Sequence, residues 1–438
     1  MLSIKISSLK NKNPWLLFAP FLLIYLLIIY FKFDNKLTGD EPRYLLFAQN
    51  LLHGFYSPKE ELNLWNGPGY PLFIAPFLKL GFPMIGLKLL NGFLQYASII
   101  FLYKTLLQWV SFNKAIFLSL FWACYYIAYK EMTLLYTEPL SSLLVCLILY
   151  FTTKAYQEDA TNLKQRLIAV IIPGILLGYL ILTKIIFGYV VIALFVLYAL
   201  MILTNAFVAK KVVITKGFSI ALIALIINIP YLFYTYQLSH KMFYWGNSGG
   251  MSLYWASTPF EHEYGDWNDD HFRAYCDYDT SMPCNDYLFA QNHAADYQQI
   301  YQFKGVQRDD AFKAKAIENI KSHPLKYGQN TITNISRLFF NYPTSYGHVQ
   351  TKLIWRILPN ILVLGILIFS IFTSASNFKK HPPLLVFCIA LLLFYLCSSI
   401  LVSAFQRQLY VVLPIILCWF AWLRDTPLIN NPLKNQEK

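Results

Sequence analysis

Long apolar runs recur along the whole chain, and they constrain its fold more than any other feature. The first run, residues 14–31, carries no charged side chain. As a helix that rises about 1.5 Å per residue, it is long enough to cross a bilayer core of roughly 30 Å. We therefore predict an all-α polytopic membrane protein with about ten transmembrane helices, external juxtamembrane helices and one long external loop region. The other predicted spans are 84–107, 115–129, 139–156, 167–183, 185–203, 217–236, 353–373, 384–402 and 409–423.

The overall composition agrees with a membrane protein. Hydrophobic residues make up 57% of the 438 positions and charged residues 13%, with a mean hydropathy of +0.43, whereas soluble domains carry about 25% charged residues. The formal net charge of +13 is dispersed over short loops between the apolar runs. Such basic residues orient helices and contact anionic membrane lipids, so no nucleic-acid partner is predicted.

The basic residues fall in every second short loop, which predicts the topology. By the positive-inside rule both termini are cytoplasmic, and the long segments 32–83 and 237–352 are external. The first run is not followed by small residues, so we expect it to remain as an anchor. The predicted units are a transmembrane module with the first external loop (1–236), the external region 237–352, and C-terminal transmembrane helices with a cytoplasmic tail (353–438). The basic residues concerned are Lys5, Lys10, Lys12, Lys114, Lys164, Arg166, Lys210, Lys211, Lys216, Lys379 and Lys380.

Two adjacent carboxylates, Asp40 and Glu41, follow the first apolar run in the segment TGDEPRY, residues 38–44. Acids near a bilayer are costly unless they are solvated, paired or used in function, so this pair is a candidate site. The structural alternative is that Asp40 caps a helix beginning near Pro42, with Glu41 favouring the helix N-terminus electrostatically. Arg43 is one helical turn away and is positioned to pair with either acid.

The external segment 237–352 is polar, aromatic and histidine-rich. The rings of Tyr244 and Trp245 are candidates for stacking on a sugar, and the alternative is an aromatic belt at the membrane interface. Residues 309–321 are predicted to form an amphipathic helix on the membrane surface. A further set of acids and histidines either binds a metal ion or forms a solvated acidic loop, since its spacing matches no tight metal motif. This set is His262, Glu263, Asp266, Asp269, Asp270 and His271.

Two of the seven cysteines, Cys276 and Cys284, lie in the polar external segment, whereas the other five lie in apolar runs. Cysteines in apolar runs usually pack as small hydrophobic side chains. An oxidising compartment would allow Cys276 and Cys284 to form a disulfide. A metal-binding pair is the alternative.

Several short motifs on the predicted external side carry a resemblance to a known family. They are Asp40-Glu41 after the first run, NGPGYP at 66–71, YTEPL at 136–140, SHPLKY at 322–327 and QRQLY at 406–410. In this order they resemble the C-superfamily of membrane glycosyltransferases. The nearest kin are bacterial proteins related to protein O-mannosyltransferases and to the lipid A aminoarabinose transferase, which are family 39-like.

The resemblance implies an inverting glycosyltransferase that uses a polyprenyl-phosphate-linked sugar as donor. The acceptor would be a lipid, a glycan or a protein at the external face of the bacterial inner membrane. The catalytic acid becomes Asp40, with Glu41 beside it. An acceptor hydroxyl that attacks an anomeric carbon must lose a proton, and a carboxylate within hydrogen-bond reach can take it.

The leaving group in such a reaction is a lipid phosphate, whose developing charge needs cations. Lys184 and Arg407 are the candidates, and the alternative for both is that they extend to the lipid headgroups. Glu138 is either a helix cap or a second acid that orients the site. We predict no metal ligands. A divalent ion that shields the phosphate is the alternative.

Two other classes of function compete with a glycosyltransferase. A transporter or flippase of lipid-linked sugars would use the acids as a proton relay and would predict internal repeats and charges near mid-span. Neither is evident in the sequence. A non-catalytic scaffold for envelope assembly fits if Asp40 is only a helix cap.

Overall fold

The computed structural model describes residues 12–58, 60–157, 163–204, 211–268, 284–346, 353–377 and 383–429, and within these ranges all regular structure is helical. The helices, numbered in chain order, are α1 (Pro14–Leu17), α2 (Ala19–Phe31), α3 (Glu41–Leu52), α4 (Gly69–Lys79), α5 (Met84–Leu106), α6 (Phe112–Ala123), α7 (Tyr126–Glu131), α8 (Glu138–Gln157), α9 (Leu163–Thr183), α10 (Ile186–Leu203), α11 (Lys211–Ser239), α12 (Gly249–Ala256), α13 (Cys284–Ile300), α14 (Gly305–Ser322), α15 (Pro324–Phe340), α16 (Leu353–Asn377), α17 (Pro383–Val402) and α18 (Gln406–Ile429).

The apolar helices identify a polytopic membrane protein. Among the described residues, six segments are long and apolar enough to cross a membrane, in α5, α10, α11, α16, α17 and α18. Shorter apolar helices occur in α2, α6 and α9. Each predicted span coincides with helical structure, because hydropathy is a local property of the sequence. The number of crossings and the side on which each loop lies stay predictions.

The predicted span 115–129 is interrupted, which the apolar pattern did not indicate. Helix α6 ends at Ala123, and Tyr125 adopts an extended conformation with ψ of 116° before α7 begins. The Tyr125 ring stacks on Trp122 and Tyr410, and its hydroxyl donates to Asn360 Oδ1 at 2.6 Å. Tertiary packing therefore stabilises the break and turns α7 toward the start of α8.

The central helix of the bundle is α8, which packs against α5, α9 and α18. Helix α18 is the most buried of the six membrane-length helices, with 78% of its apolar window inside the protein. The residues that open α8 and α18 contact each other and the loop that precedes α3. These three segments therefore lie at the same end of the bundle, where they form the site described below.

Helices α12, α13 and α14, which belong to the segment predicted to be external, build a second, smaller apolar core. Its buried members are Met251, Tyr254, Trp255, Phe289, Tyr297, Ile300, Phe312 and Ala316. The helix predicted at 309–321 is present within α14, but Phe312 packs edge-on against Tyr254 and Tyr297. The prediction that this apolar face lies on the membrane is therefore wrong for Phe312, because aromatic partners from α12 and α13 cover it.

Candidate active site

Asp40 lies immediately before α3, and the preceding turn favours glycine at position 39. Gly39 has a φ of +58°, and a Cβ atom there would clash with the hydroxyl of Tyr136. The Asp40 side chain makes no capping hydrogen bond to the helix. Its Oδ1 accepts from Arg43 Nη2 and its Oδ2 accepts from Arg407 Nη1 at 3.2 Å. The carboxylate is thus directed at two cations, and the alternative that it caps α3 does not describe its contacts.

Arg407, in the first turn of α18, joins two distant parts of the chain. Besides Asp40, its guanidinium lies 3.9 Å from Glu138 Oε1, measured from Nε. Its Cζ atom lies 5.5 Å from the ring centre of Tyr136 and 5.8 Å from that of Phe405. Two acids and two rings therefore fix the orientation of the guanidinium, which favours binding in a defined geometry over loose contact with headgroups.

Glu138 and Lys184 form the second ion pair of the site. Lys184 Nζ donates to Glu138 Oε1 at 2.8 Å, and the Glu138 side chain is 1% exposed. Glu138 opens α8, whereas Lys184 lies between α9 and α10. The pair, together with Asp40 and Arg407, gives a chain of alternating charges, and each acid of the chain contacts a cation. These contacts correspond to the alternative in which Glu138 orients the site.

These four charged residues line a cavity of about 520 Å³. Part of its wall is apolar and comes from Ile185, Leu401 and Val402. A cavity of this volume falls in the usual range for small ligands, roughly 300–1,000 Å³. Cations at one side and apolar side chains at another are what a phosphate on a hydrocarbon chain requires.

Glu41, although adjacent to Asp40, is directed away from this cavity. Its carboxylate is fully buried and accepts from the backbone N–H groups of Leu135 and Thr38, each at 2.9 Å. Lys88 Nζ of α5 lies 3.1 Å from Glu41 Oε1. The two carboxylates predicted as one catalytic unit are therefore separated, and we propose that Glu41 anchors α3 to the bundle.

Tyr244 and Trp245 are likewise not among the described residues that line the cavity. Trp245 is completely buried and donates from Nε1 to Asn228 Oδ1 at 3.1 Å. The Tyr244 hydroxyl donates to Asp309 Oδ2 at 3.1 Å. Their proposed stacking on a sugar has no support in these positions. Trp65 does line the cavity, although no sequence pattern indicated it. The Cζ atom of Arg43 lies 4.9 Å from the centre of the Trp65 ring.

The described part of the external region contains no group of three or more acids, histidines and cysteines placed to hold a metal ion. Glu263 is buried and accepts from Asn292 at 2.9 Å, and its Oε2 lies 2.8 Å from His293 Nε2. Burial alone would raise the pKa of Glu263, but the His293 contact holds it below its ordinary value. Asp266 accepts from the backbone N–H of Ser345 at 2.9 Å. These two acids thus have structural partners.

Two predictions about the external region fall outside the described residues. Asp269, Asp270 and His271 belong to the undescribed range, as does Cys276. The disulfide between Cys276 and Cys284 therefore stays a prediction, and so does its metal-binding alternative.

Sequence reasoning also missed Glu131, the last residue of α7. Its side chain is 4% exposed, Oε1 lies 3.7 Å from Lys130 Nζ, and Oε2 has no hydrogen-bond partner in the described structure. Burial and the nearby Glu138 carboxylate raise the pKa of Glu131 to about 7. Glu131 lines a second cavity of about 300 Å³ that also includes Asp40 and Arg407. The break between α6 and α7 creates this position, and no local sequence signal indicated it.

Comparison with known proteins finds similarity in fold and none in sequence. No family model matches the chain, and no curated protein matches it. The structure is similar to the Archaeoglobus fulgidus oligosaccharyltransferase tethered with an acceptor peptide, with a TM-score of 0.52 and 13% identity. This alignment covers 97% of the chain and 52% of the oligosaccharyltransferase. The chain therefore spans about half the length of that protein.

Two further solved structures align with the chain at lower TM-scores. AglB from Archaeoglobus fulgidus, in complex with an inhibitory peptide and a dolichol-phosphate, has a TM-score of 0.49 and 12% identity over 96% of the chain and 51% of its own length. ArnT from Cupriavidus metallidurans, bound to undecaprenyl phosphate, has a TM-score of 0.40 and 12% identity over 96% of the chain and 80% of its own. The fold is thus similar to that of the oligosaccharyltransferase, whereas membership of the C-superfamily stays a prediction. The nearer kinship to O-mannosyltransferases and aminoarabinose transferases stays a prediction.

Proposed function

We propose that this chain is an inverting glycosyltransferase that moves a sugar from a polyprenyl-phosphate-linked donor to an acceptor. The observation that carries the proposal is the Asp40 carboxylate in a cavity of about 520 Å³, in contact with Arg407 and near the Lys184–Glu138 pair. A proton acceptor and cations for a phosphate are the two groups that this reaction needs. The likeness in fold to the oligosaccharyltransferase supports the same class of reaction.

The proposed reaction is an in-line displacement at the anomeric carbon. The acceptor hydroxyl oxygen forms a bond to this carbon as the bond to the phosphate oxygen breaks. Asp40 takes the hydroxyl proton, and the polyprenyl phosphate leaves with the electron pair of the broken bond. Since a single displacement occurs, the anomeric configuration inverts and no covalent enzyme intermediate forms.

Arg407 has two roles in this proposal. In the structure its Nη1 atom contacts Asp40 Oδ2 at 3.2 Å. A donor phosphate competes for this guanidinium, so donor binding releases one oxygen of Asp40 to accept a proton. Lys184 supplies a second positive charge from the same cavity. Cations placed before the reaction stabilise the charge that develops on the leaving phosphate.

The active site is proposed to face the external side of the bacterial inner membrane, with both termini cytoplasmic. The polyprenyl chain of the donor lies among the membrane lipids. In this proposal it enters the bilayer along the apolar wall of the cavity. A divalent ion is not required by any step of this proposal. The acceptor is a lipid, a glycan or a protein.

The test is mass spectrometry of envelope lipids, glycans and glycoproteins from cells with and without this chain. We expect one sugar substituent to disappear without the chain and to return when the wild-type chain is restored. If the chain were a transporter or a scaffold, another protein would make the linkage, and membranes open on both faces would transfer the sugar without this chain. Identical envelopes in both kinds of cell would contradict the proposal.

A further inference from the structure

The cavity of about 300 Å³ lies next to the larger one, and the two have Asp40 and Arg407 in common. These residues therefore form the partition between two compartments. Lys184, Glu138 and the apolar wall belong to the larger compartment, whereas Lys130 and Glu131 belong to the smaller one. A transfer reaction needs this arrangement, because donor and acceptor must reach one carboxylate from different directions.

Within the smaller compartment, the contacts of Glu131 do not explain why a carboxylate is buried there. Leaving a buried carboxylate oxygen without a hydrogen bond destabilises the folded protein, and such groups are uncommon in native proteins. Glu131 Oε2 is such an atom. The neighbouring Lys130 does not compensate for it, since the ammonium lies 3.7 Å from the other oxygen and its side chain is 60% exposed. Glu131 lines the cavity, so a ligand hydroxyl bound there could supply the partner that this oxygen lacks.

The remaining walls of the smaller compartment are aromatic. Tyr126, Tyr136, Trp267 and Phe405 all line it. Flat apolar rings beside a carboxylate suit a sugar, which presents C–H groups on its ring faces and hydroxyl donors at its edge. The charged residues that line the space are two acids, Asp40 and Glu131, and two cations, Lys130 and Arg407, so their charges balance and suit an uncharged ligand. The volume is at the lower end of ligand pockets and fits a single sugar ring better than a large substrate.

We propose that the smaller compartment binds a sugar ring of a saccharide acceptor and that Glu131 Oε2 accepts a hydrogen bond from one of its hydroxyl groups. This inference rests on the proposed glycosyltransferase function and specifies its acceptor. Asp40 takes the proton from the hydroxyl that reacts, while Glu131 holds the same ring through another hydroxyl. Glu131 is thus an acceptor-binding residue.

The protonation state of Glu131 adds a pH dependence to this contact. Only the ionised carboxylate accepts at both oxygens, and burial raises the pKa of Glu131 to about 7. Acceptor binding should therefore strengthen as the pH rises from 6 to 8. A glutamine at this position does not titrate, so Glu131→Gln should remove the pH dependence that belongs to this group.

The experiment uses washed membranes that contain wild-type protein, Glu131→Gln, Asp40→Asn or the control Glu318→Gln. Glu318 is an exposed carboxylate on α14 that lines none of the described cavities. Sugar transfer to endogenous acceptors is followed by mass spectrometry between pH 5.5 and 8.5, with linkage analysis of the product. Binding of undecaprenyl phosphate to each purified protein in lipid nanodiscs is measured in parallel.

We expect Glu131→Gln to lower transfer by about tenfold, because the neutral amide oxygen accepts a hydrogen bond more weakly than a carboxylate does. Affinity for undecaprenyl phosphate should stay within about twofold of wild type, because the donor compartment is untouched. Linkage analysis should find the new sugar attached to another sugar. The control variant should behave as wild type.

Three results would overturn this inference. They are normal transfer by Glu131→Gln, an equal loss of undecaprenyl phosphate binding, and a product in which the sugar is attached to a peptide or a phosphate. In these cases Asp40→Asn still abolishes transfer, and the glycosyltransferase proposal survives. If Asp40→Asn membranes transfer sugar normally, the proposed function itself fails.

Discussion

The buried ion pair between Lys88 and Glu41 gives a prediction that does not depend on knowing the substrate. The Lys88 and Glu41 side chains are 4% and 0% exposed, and their charged atoms lie 3.1 Å apart. Replacing Lys88 by methionine leaves a buried carboxylate with two backbone N–H donors and no opposite charge. Breaking a buried pair in this way typically costs 3–5 kcal/mol. We therefore expect Lys88→Met to lower stability by about 3–5 kcal/mol.

The assay is thermal unfolding in detergent, followed by the intrinsic fluorescence of the chain's 10 tryptophans. The control is Lys79→Met, because Lys79 is exposed at the end of α4. The double variant Glu41→Gln with Lys88→Met should recover most of the loss, since the neutral amide still accepts from a backbone N–H group.

An unfolding temperature for Lys88→Met equal to that of the Lys79→Met control would refute the anchoring role of Glu41. A second result would do so as well. If Glu41→Gln abolished sugar transfer without loss of stability, Glu41 would belong to the catalytic machinery with Asp40.

Three further predictions concern the site and the external region. Arg407→Ala should weaken undecaprenyl phosphate binding by about tenfold or more, and Arg407→Lys should be intermediate because it keeps the charge but loses the planar fork; unchanged binding in nanodiscs would make the residue a headgroup anchor. The pKa of Glu131 is raised from 4.5 to about 7, so folding disfavours its ionised form, and stability should fall as the pH rises between these values. Glu131→Gln should therefore be more stable than wild type at pH 8 and equal to it at pH 4, which thermal unfolding at both pH values checks. Cys276 and Cys284 should resist alkylation in unreduced protein and react after reduction, whereas free thiols before reduction would contradict the disulfide.

The sequence predicted the helical segments because hydropathy and length act locally. It also predicted that Arg407 and Asp40 belong to one site, and the structure brings them to 3.2 Å. That prediction depended on alternation of the helices across the bilayer and on the resemblance to a family. Neither depends on side-chain packing.

The contacts that the sequence did not indicate join residues that are distant in the chain. Glu41 differs from Asp40 by one position, yet α5 places Lys88 against only one of the two acids. Trp245 is of a residue type that stacks on sugars, but its side chain is buried and donates a hydrogen bond to Asn228 of α11. Glu131 lines a cavity at the end of α7, a helix that exists as a separate element because of the break at Tyr125. Such partners lie far apart in sequence, and no local pattern specifies them.

The most direct test of the central claim is the rate of sugar transfer by Asp40→Asn in washed membranes, with undecaprenyl phosphate binding measured on the same variant. Asparagine keeps the size of the side chain and a hydrogen bond to the arginines but cannot take a proton. The account predicts a rate about 10²–10⁴-fold below wild type, with binding of undecaprenyl phosphate retained. Transfer at the wild-type rate would contradict the assignment of Asp40 as the base.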